Sequence, residues 1–420
     1  MQRPEPVARM RHASNRVVIH YADIALKGKN RPQFEARLGR QIAWRLRRLG
    51  IVWPVSREAG RMAITIGADG ERMAEVLAVL GEIPGIAVYF PAQWFAPDVA
   101  GRDEAALLNG PLTEALLDLA RSVYREGERF AVRVERHDPR FDVSTRALES
   151  AWGSAILTET SWAGVNLSAP DRTFHVGLYP QGALLYAERL SGLGGMPVGA
   201  SGRVLALLSA GIDSPLAAFL MARRGCSLEC LHFSANYLDR DNAADTPLGR
   251  LAARLSRYTQ RLELHVVPYV SFDLTLAGEH TGYELILFRR FMLRVAERLA
   301  RRRRATALVT GDSLSQVASQ TLDNLVAQDA AVTMPVFRPL IGLNKQEIIA
   351  WARRIGTYSI SIEPYKDCCA LIARDAKTRA RAELIEALEH TRLTDYDALV
   401  EAALTESVTL RFEAGELLRS

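Results

Sequence analysis

The residues best placed to do chemistry lie in one short stretch, Ser209-Ala210-Gly211-Ile212-Asp213-Ser214. It follows an apolar run at 204–208 and precedes helical spacing, so it reads as a strand-to-helix turn. Small residues and hydroxyls at such a turn let backbone N–H groups wrap an anion where the helix N-terminus adds partial positive charge. No Gly-Lys-Ser/Thr follows, which excludes a Walker A loop, and the Gly-x-Gly-x-x-Gly spacing of a dinucleotide site is also missing. Sulfur is the second resource. Cys226 and Cys230 flank a strand start and read as ordinary buried thiols, since their spacing is not that of a zinc pair. Cys368 and Cys369 are adjacent and follow Pro364-Tyr365. Charge is the third. Between Lys27 and Arg61 ten Lys/Arg stand against Glu35 and Glu58, so this segment carries +8 within a chain of net +5. That is the footprint of a polyanion partner or, equally, of a solvated helix face.

These groups need a scaffold, and 420 residues are enough for two to four domains of roughly 100–200 residues each. With 24% charged and 48% hydrophobic residues the chain is neither disordered nor collagenous. Four cysteines do not make a disulfide scaffold and point to a reducing compartment. No apolar run approaches the roughly 18 residues of a membrane span. The polar stretch 1–14 lacks the apolar centre of a signal peptide. A soluble, cytoplasmic protein is expected.

Periodicity divides it. Residues 1–92 interleave strands (17–19, 61–66, 86–90) with helices, one opening near Asn30 as cap and Pro32 in its first turn, and one at 71–80. This suggests a small ferredoxin-like α+β domain. Residues 93–190 carry helices over 102–126, a half-buried strand at 129–135, a helix capped by Ser144, and a hairpin over 174–186. Residues 191–202 are the most Gly-rich stretch and read as a linker or as a loop over a site. From 203 to 420, strands at 204–208, 228–233, 262–267 and 308–310 alternate with helices at 214–224, 246–259 and 283–301. That pattern predicts a doubly wound parallel α/β sheet with its ligand at the carboxyl ends of the strands.

The turn at 209–214 resembles the pyrophosphate (PP) loop of ATP pyrophosphatases. Five further stretches resemble, in order, the ThiI family of tRNA 4-thiouridine synthases: 21–34 (YADIALKGKNRPQF), 192–198 (GLGGMPV), 308–324 (LVTGDSLSQVASQTLDN), 338–349 (RPLIGLNKQEII) and 364–369 (PYKDCC). The resemblance implies a ferredoxin-like domain, a THUMP RNA-binding domain and a PP-loop ATP pyrophosphatase domain, in the form without a C-terminal rhodanese domain. It also implies the reaction. ATP adenylates the C4 oxygen of uridine 8 in tRNA, and a protein persulfide loaded by a cysteine desulfurase delivers sulfur to C4.

Carried over by residue, Ser209, Gly211, Asp213 and Ser214 would hold the pyrophosphate, with Asp213 also toward Mg2+. Leu207, Leu208, His232 and Phe233 would frame the adenine, and Arg289, Gly311 and Gln320 would complete the ATP site. Cys369 would carry the sulfur, with Cys368 as its spare. Lys27, Lys29, Arg31, Arg37, Arg40, Arg47 and Arg48 would meet tRNA, and the protein would be a homodimer. Some family members also supply sulfur for thiamine synthesis, usually with the rhodanese domain. Three places depart from the family pattern: Ala210 for the first glycine of the loop, Ser234-Ala235-Asn236 after the His-Phe pair, and 370–375 after the cysteines. Ala210 matters if that position needs a left-handed backbone or if its methyl meets the phosphate. Two other readings follow: a tRNA-binding homologue with a degenerate loop and no thiolation, or a PP-loop enzyme that thiolates a small molecule.

Overall fold

A computed structural model describes residues 15–418 except 59, 68, 236–241, 276–280, 366, 367, 369–371, 373–376 and 394. It divides into two units, Met1–Gly194 and Gly195–Ser420.

The first unit is built on one eight-stranded sheet: β1 (Arg16–His20), β2 (Val55–Glu58), β3 (Arg61–Thr65), β4 (Val88–Phe95), β5 (Phe130–Arg136), β6 (Arg172–Tyr179), β7 (Gly182–Tyr186) and β8 (Leu190–Ser191). The order is β2-β3-β1-β4-β7-β6-β5, with β8 on β4. Positions 92 and 93 fall inside β4, where its pairing passes from β1 (Arg16 opposite Ala92) to β7 (Gln93 opposite Leu185). The two halves of the unit therefore share a strand. The helix Arg31–Arg48 buries Leu38, Ile42 and Leu46, the spacing that predicted it. Asn30 does not cap it. Its backbone is itself helical (φ −84°, ψ −8°), because the 3-10 stretch Asp23–Asn30, kinked at Gly28 (φ 50°, ψ −128°), ends directly at the helix. Ser144, in contrast, accepts from the Ala147 N–H as predicted and starts the helix Thr145–Glu159.

A strand covered on one face alternates in burial, yet in β3 Arg61, Met62, Ala63 and Ile64 are all buried. The reason is curvature: the Arg61 guanidinium lies 3.9 Å from the Tyr179 ring centroid, although β1, β4 and β7 separate their strands. The sheet curls until its helix-free face closes on itself, stacking Phe90 on Tyr186 (4.0 Å) and His175 on Tyr186 (4.7 Å).

The Gly-rich stretch is a built-in crossing rather than a free linker. Gly192 and Gly194 donate to Ala87 and Ile86 in the first unit, and Met196 and Ser201 donate to Arg223 and Gly225 in the second. At Gly195 (φ +76°) a Cβ would stand 2.1 Å from the Arg223 carbonyl oxygen, so only glycine fits.

The second unit holds a seven-stranded sheet: β9 (Arg203–Leu207), β10 (Ser227–Ser234), β11 (Arg261–Pro268), β12 (Ala307–Val309), β13 (Val336–Phe337), β14 (Val408–Glu413) and β15 (Glu416–Leu417), in the order β13-β12-β9-β10-β11-β14-β15. The five strands from β13 to β11 are parallel, as predicted. At the β11 edge the sheet is extended by a hairpin, β14 running antiparallel to β11 and β15 antiparallel to β14. The chain steps from β9 to β10 to β11 and then returns to place β12 on the other side of β9. That makes the β9/β12 boundary a topological switch point, where ligands bind in open α/β sheets.

The buried pair Arg45–Glu82 (2.8 Å) tests the packing of the first unit. Glu82→Ala leaves the Arg45 charge without this partner in a dry setting, and should destabilise the unit by about 3 kcal/mol in urea unfolding. A loss below about 1 kcal/mol would mean that water reaches Arg45.

Candidate active site

The turn after β9 closes on itself. The Ser209 N–H donates to Ser214 Oγ (2.8 Å), the Gly211 N–H donates to Ser209 Oγ (3.2 Å), and the two hydroxyls meet at 3.0 Å. These bonds hold the turn over the N-terminus of the helix Asp213–Arg223, where unpaired N–H groups and the helix dipole favour an anion. Across the switch point, the turn after β12 presses against the same spot. A Cβ on Gly311 would lie 2.7 Å from Ser214 N and 2.8 Å from Ser214 Cα, so the two turns touch only because position 311 has no side chain. Ala210 lacks the left-handed backbone that would strain it, is buried, and does not line the cavity. The strain objection to the alanine does not apply.

A cavity opens here, lined by Leu207, Leu208, Ser209, Asp213, Ser214, His232, Phe233, Arg289, Gly311 and Gln320 among others. Of the residues assigned to the ATP site by resemblance, Gly211 alone does not line it. The helix Glu284–Arg302 adds an apolar wall with Phe288, Met292 and Leu293. Cys368 completes the lining, its Sγ donating to the Phe233 carbonyl at 3.2 Å. Cys369 lies outside the described residues. Cys226 and Cys230 are buried away from the cavity, and burial pushes both thiols up, as ordinary core cysteines require.

Asp312 is the residue that sequence reasoning missed. Only 2% exposed, it accepts from Arg289 Nη2 (2.5 Å) and Gln320 Nε2 (3.3 Å) at one oxygen, and from the Thr310 hydroxyl (2.7 Å) and Arg338 Nε (3.3 Å) at the other. Burial alone would raise its pKa. The Arg289 guanidinium, the Thr310 hydroxyl, Arg338 and the Gln320 amide outweigh that and hold it below the usual carboxylate range. Arg289 is further clamped by Gln328 Oε1 (2.7 Å). Asp213 has both oxygens occupied, by Lys345 Nζ (2.7 Å) and Gln316 Nε2 (2.9 Å). Both aspartates lining the cavity are thus engaged by cations or amides. Among the described residues, Glu229, Glu263 and His265 could together reach a metal. They lie off the cavity, tied to Arg203, Arg303 and Arg411 in an ion-pair network.

Comparison with known proteins places this geometry. Family models match in order along the chain: the ThiI ferredoxin-like domain at 16–89, the THUMP domain at 111–188, and Thiamine biosynthesis protein (ThiI) at 199–393. A probable tRNA sulfurtransferase of Nocardia farcinica is 40% identical over 404 residues, covering 94% of this chain and 93% of the relative. One of Thermus thermophilus is 39% identical over 398 residues, covering 93% and 92%. The chain belongs to the ThiI family. A crystal structure of a 4-thiouridine synthetase–RNA complex with bound ATP superposes with a TM-score of 0.82 at 31% identity, over 95% of this chain and 100% of that one. PH1313 from Pyrococcus horikoshii, at 21% identity and a TM-score of 0.60, shares the fold.

In this ThiI-family chain the basic residues separate by burial. Lys27, Lys29, Arg40, Arg47 and Arg48 are exposed, and Arg37 is half-buried. Arg31 is partly engaged by Glu35 (2.7 Å) and the Tyr21 hydroxyl (2.8 Å). Arg45 and Arg61, counted in the +8, are interior residues. Among the described residues no helix is long and apolar enough to cross a membrane.

His232 is fixed on both ring nitrogens: Nδ1–H donates to the Leu208 carbonyl (2.8 Å), and Nε2 accepts from the Tyr365 hydroxyl (3.0 Å). Burial pulls its pKa from 6.5 to about 4, so the imidazole is neutral. Its contribution to stability is complete above pH 6.5 and is lost as pH falls toward 4, because the unfolded chain takes up the proton first. Between pH 7 and pH 4.5 the wild type should lose roughly 2–3 kcal/mol more than His232→Asn in urea unfolding. Parallel losses would show that the ring protonates freely in the folded state.

Proposed function

We propose that this chain is an ATP-dependent tRNA sulfurtransferase that converts uridine 8 of tRNA to 4-thiouridine. One observation carries the reading: an anion-binding turn of PP-loop type and a thiol, Cys368, face the same cavity. The family's relatives and the solved 4-thiouridine synthetase with RNA and ATP support it along nearly the whole chain.

The uridine C4 oxygen attacks the α-phosphorus of ATP and pyrophosphate leaves, so the oxygen becomes part of an AMP leaving group. A sulfur nucleophile then adds to C4, the C4–O bond breaks, and AMP departs. Ser209, Ser214 and the helix N-terminus bind the phosphates, and Leu207, Leu208, His232 and Phe233 flank the base. Arg289, locked by Asp312 and Gln328, presents fixed guanidinium donors to the nucleotide. Asp213, which Lys345 and Gln316 hold at the mouth of the turn, would be the residue toward Mg2+, and the ion would supply charge neutralisation of the phosphates. The nucleophile is the terminal sulfur of a persulfide on Cys369, one residue from the cavity-lining Cys368, loaded by a cysteine desulfurase. A thiol then attacks the Cys369 sulfur of the resulting C4–S–S–Cys369 disulfide, the S–S bond breaks, 4-thiouridine leaves and the thiol ends as a mixed disulfide with Cys369. The buried neutral His232 keeps that side of the cavity free of charge, where the apolar base sits. The exposed bases of the Arg31–Arg48 helix and its approach bind the tRNA backbone, and the enzyme acts as a homodimer in the reducing cytoplasm. The unstrained backbone at Ala210 supports a working loop over a degenerate one.

Incubation with unmodified tRNA, Mg-ATP, cysteine and a desulfurase should produce 4-thiouridine absorbance. Absence of product with tRNA still bound would defeat the enzymatic reading. Cys369→Ser should abolish sulfur transfer while tRNA-dependent pyrophosphate release continues, and thiolation at the wild-type rate would remove Cys369 from the mechanism. Reversing Arg47 and Arg48 to Glu should weaken tRNA binding and flatten its salt dependence, by about 0.9 in log–log slope for each phosphate no longer neutralised. An unchanged slope would make that helix face merely solvated.

A further inference from the structure

Gln320 has one end of its amide satisfied and the other bare. Its side chain is 7% exposed and lines the cavity. Nε2 donates to Asp312 Oδ1 at 3.3 Å, while Oε1 is buried and meets no donor. A buried acceptor left unpaired costs free energy, so native proteins keep one mainly where a ligand will supply the missing donor.

The orientation of the amide is not arbitrary. Asp312 sits between the guanidinium groups of Arg289 and Arg338, and the Thr310 hydroxyl also donates to it. A carboxylate so surrounded stays ionised and can only accept. Gln320 must therefore turn its NH2 group toward Asp312, which leaves Oε1 as the free atom. The same oxygen of Asp312 also holds Arg289 Nη2. One carboxylate thus determines that the arginine offers donors to the cavity and the glutamine offers an acceptor.

We propose that Asp312 is a positioning residue that fixes Gln320 Oε1 as a dedicated acceptor for a hydrogen-bond donor on the nucleotide, either the exocyclic amine of the base or a ribose hydroxyl. Gln320 is then the specificity-determining residue of the pair. The inference rests on the nucleotide reading of the cavity and adds to it a criterion for choosing among nucleotides. A ligand that places a carbonyl or a hydrogen where the donor belongs leaves Oε1 unpaired and is rejected.

The test is equilibrium binding of ATP, ITP, 2′-deoxy-ATP and 3′-deoxy-ATP to the full chain. ITP replaces the amine by a carbonyl, and each deoxynucleotide removes one hydroxyl. Wild-type protein should bind one of the three analogues roughly 10- to 100-fold more weakly than ATP, and the identity of that analogue names the donor. Gln320→Leu removes the acceptor and should bring the discrimination against that same analogue to within about threefold. Asp312→Asn, which can donate as well as accept, lets the amide turn over and should erode the same discrimination without exchanging it for another. A purely structural role for Gln320 would weaken all four nucleotides alike and leave the ratio between ATP and its analogues unchanged. Equal affinity of wild type for all four nucleotides overturns the proposal, as does full discrimination in Gln320→Leu. Failure to bind ATP at all would instead overturn the nucleotide reading itself, so the two failures are distinct.

Discussion

A carboxylate removed from water must be neutralised where it stands, and in the second unit that requirement assembles the cavity wall. Asp312 recruits Arg289 from the helix Glu284–Arg302, Arg338 from beyond β13, Thr310 from the end of β12, and Gln320 from the turn that follows. Arg338 in turn is held by Asp329 in a two-point pair (2.6 and 2.9 Å). None of these side chains is fixed by its own backbone element to the precision a binding site needs. Their mutual pairing supplies that precision, because each long side chain gives up its freedom to a partner that is already immobile.

The phosphate end of the cavity is organised by steric contact instead of charge. Two turns from strands adjacent in the sheet but distant in sequence meet at Gly311 and Ser214, and no side chain separates them. Backbone N–H groups and the Ser209 and Ser214 hydroxyls make up this end, so its shape depends on residue smallness more than on charge. That explains why alanine is compatible at position 210: with an ordinary right-handed or extended backbone there, the methyl turns into the core. The two ends of the cavity thus tolerate different changes, one sensitive to volume and the other to charge.

How much of this was legible beforehand follows from the range of the interactions. The strand β9, its turn and the following helix announce themselves locally, through an apolar run, small residues and helical spacing, and the parallel strands β10 to β12 do the same. β14, Val408-Thr409-Leu410-Arg411-Phe412-Glu413, alternates as a strand should; what the sequence could not show is its antiparallel seat on β11, more than a hundred residues away. β2, with one apolar residue in four, carries no pattern of its own. Charge counting could not tell Arg47, which is exposed, from Arg45, which is buried against Glu82, because the difference lies in the partner and not in the residue. Asp312 stood beside the flagged Gly311, and an acid directly after a β-strand at a switch point was a usable signal. What was invisible was that two arginines, 23 residues before it and 26 after it, converge on it.

The curled sheet of the first unit shows the same logic applied to a surface. Curling brings β3 and β6 together across three intervening strands and puts Arg61, His20, His175, Tyr179 and Tyr186 into a shared interior. Desolvation lowers the pKa of both histidines, with neighbouring Arg61 and Arg189 acting in the same direction at His20, and Arg189 and Arg133 at His175. Arg61 is therefore a structural cation that keeps its histidine neighbour neutral and packs flat on an aromatic face. The exposed cations of the Lys27–Arg48 segment (Lys27, Lys29, Arg40, Arg47 and Arg48) thus differ in kind from Arg61, whose charge is spent inside the curled sheet.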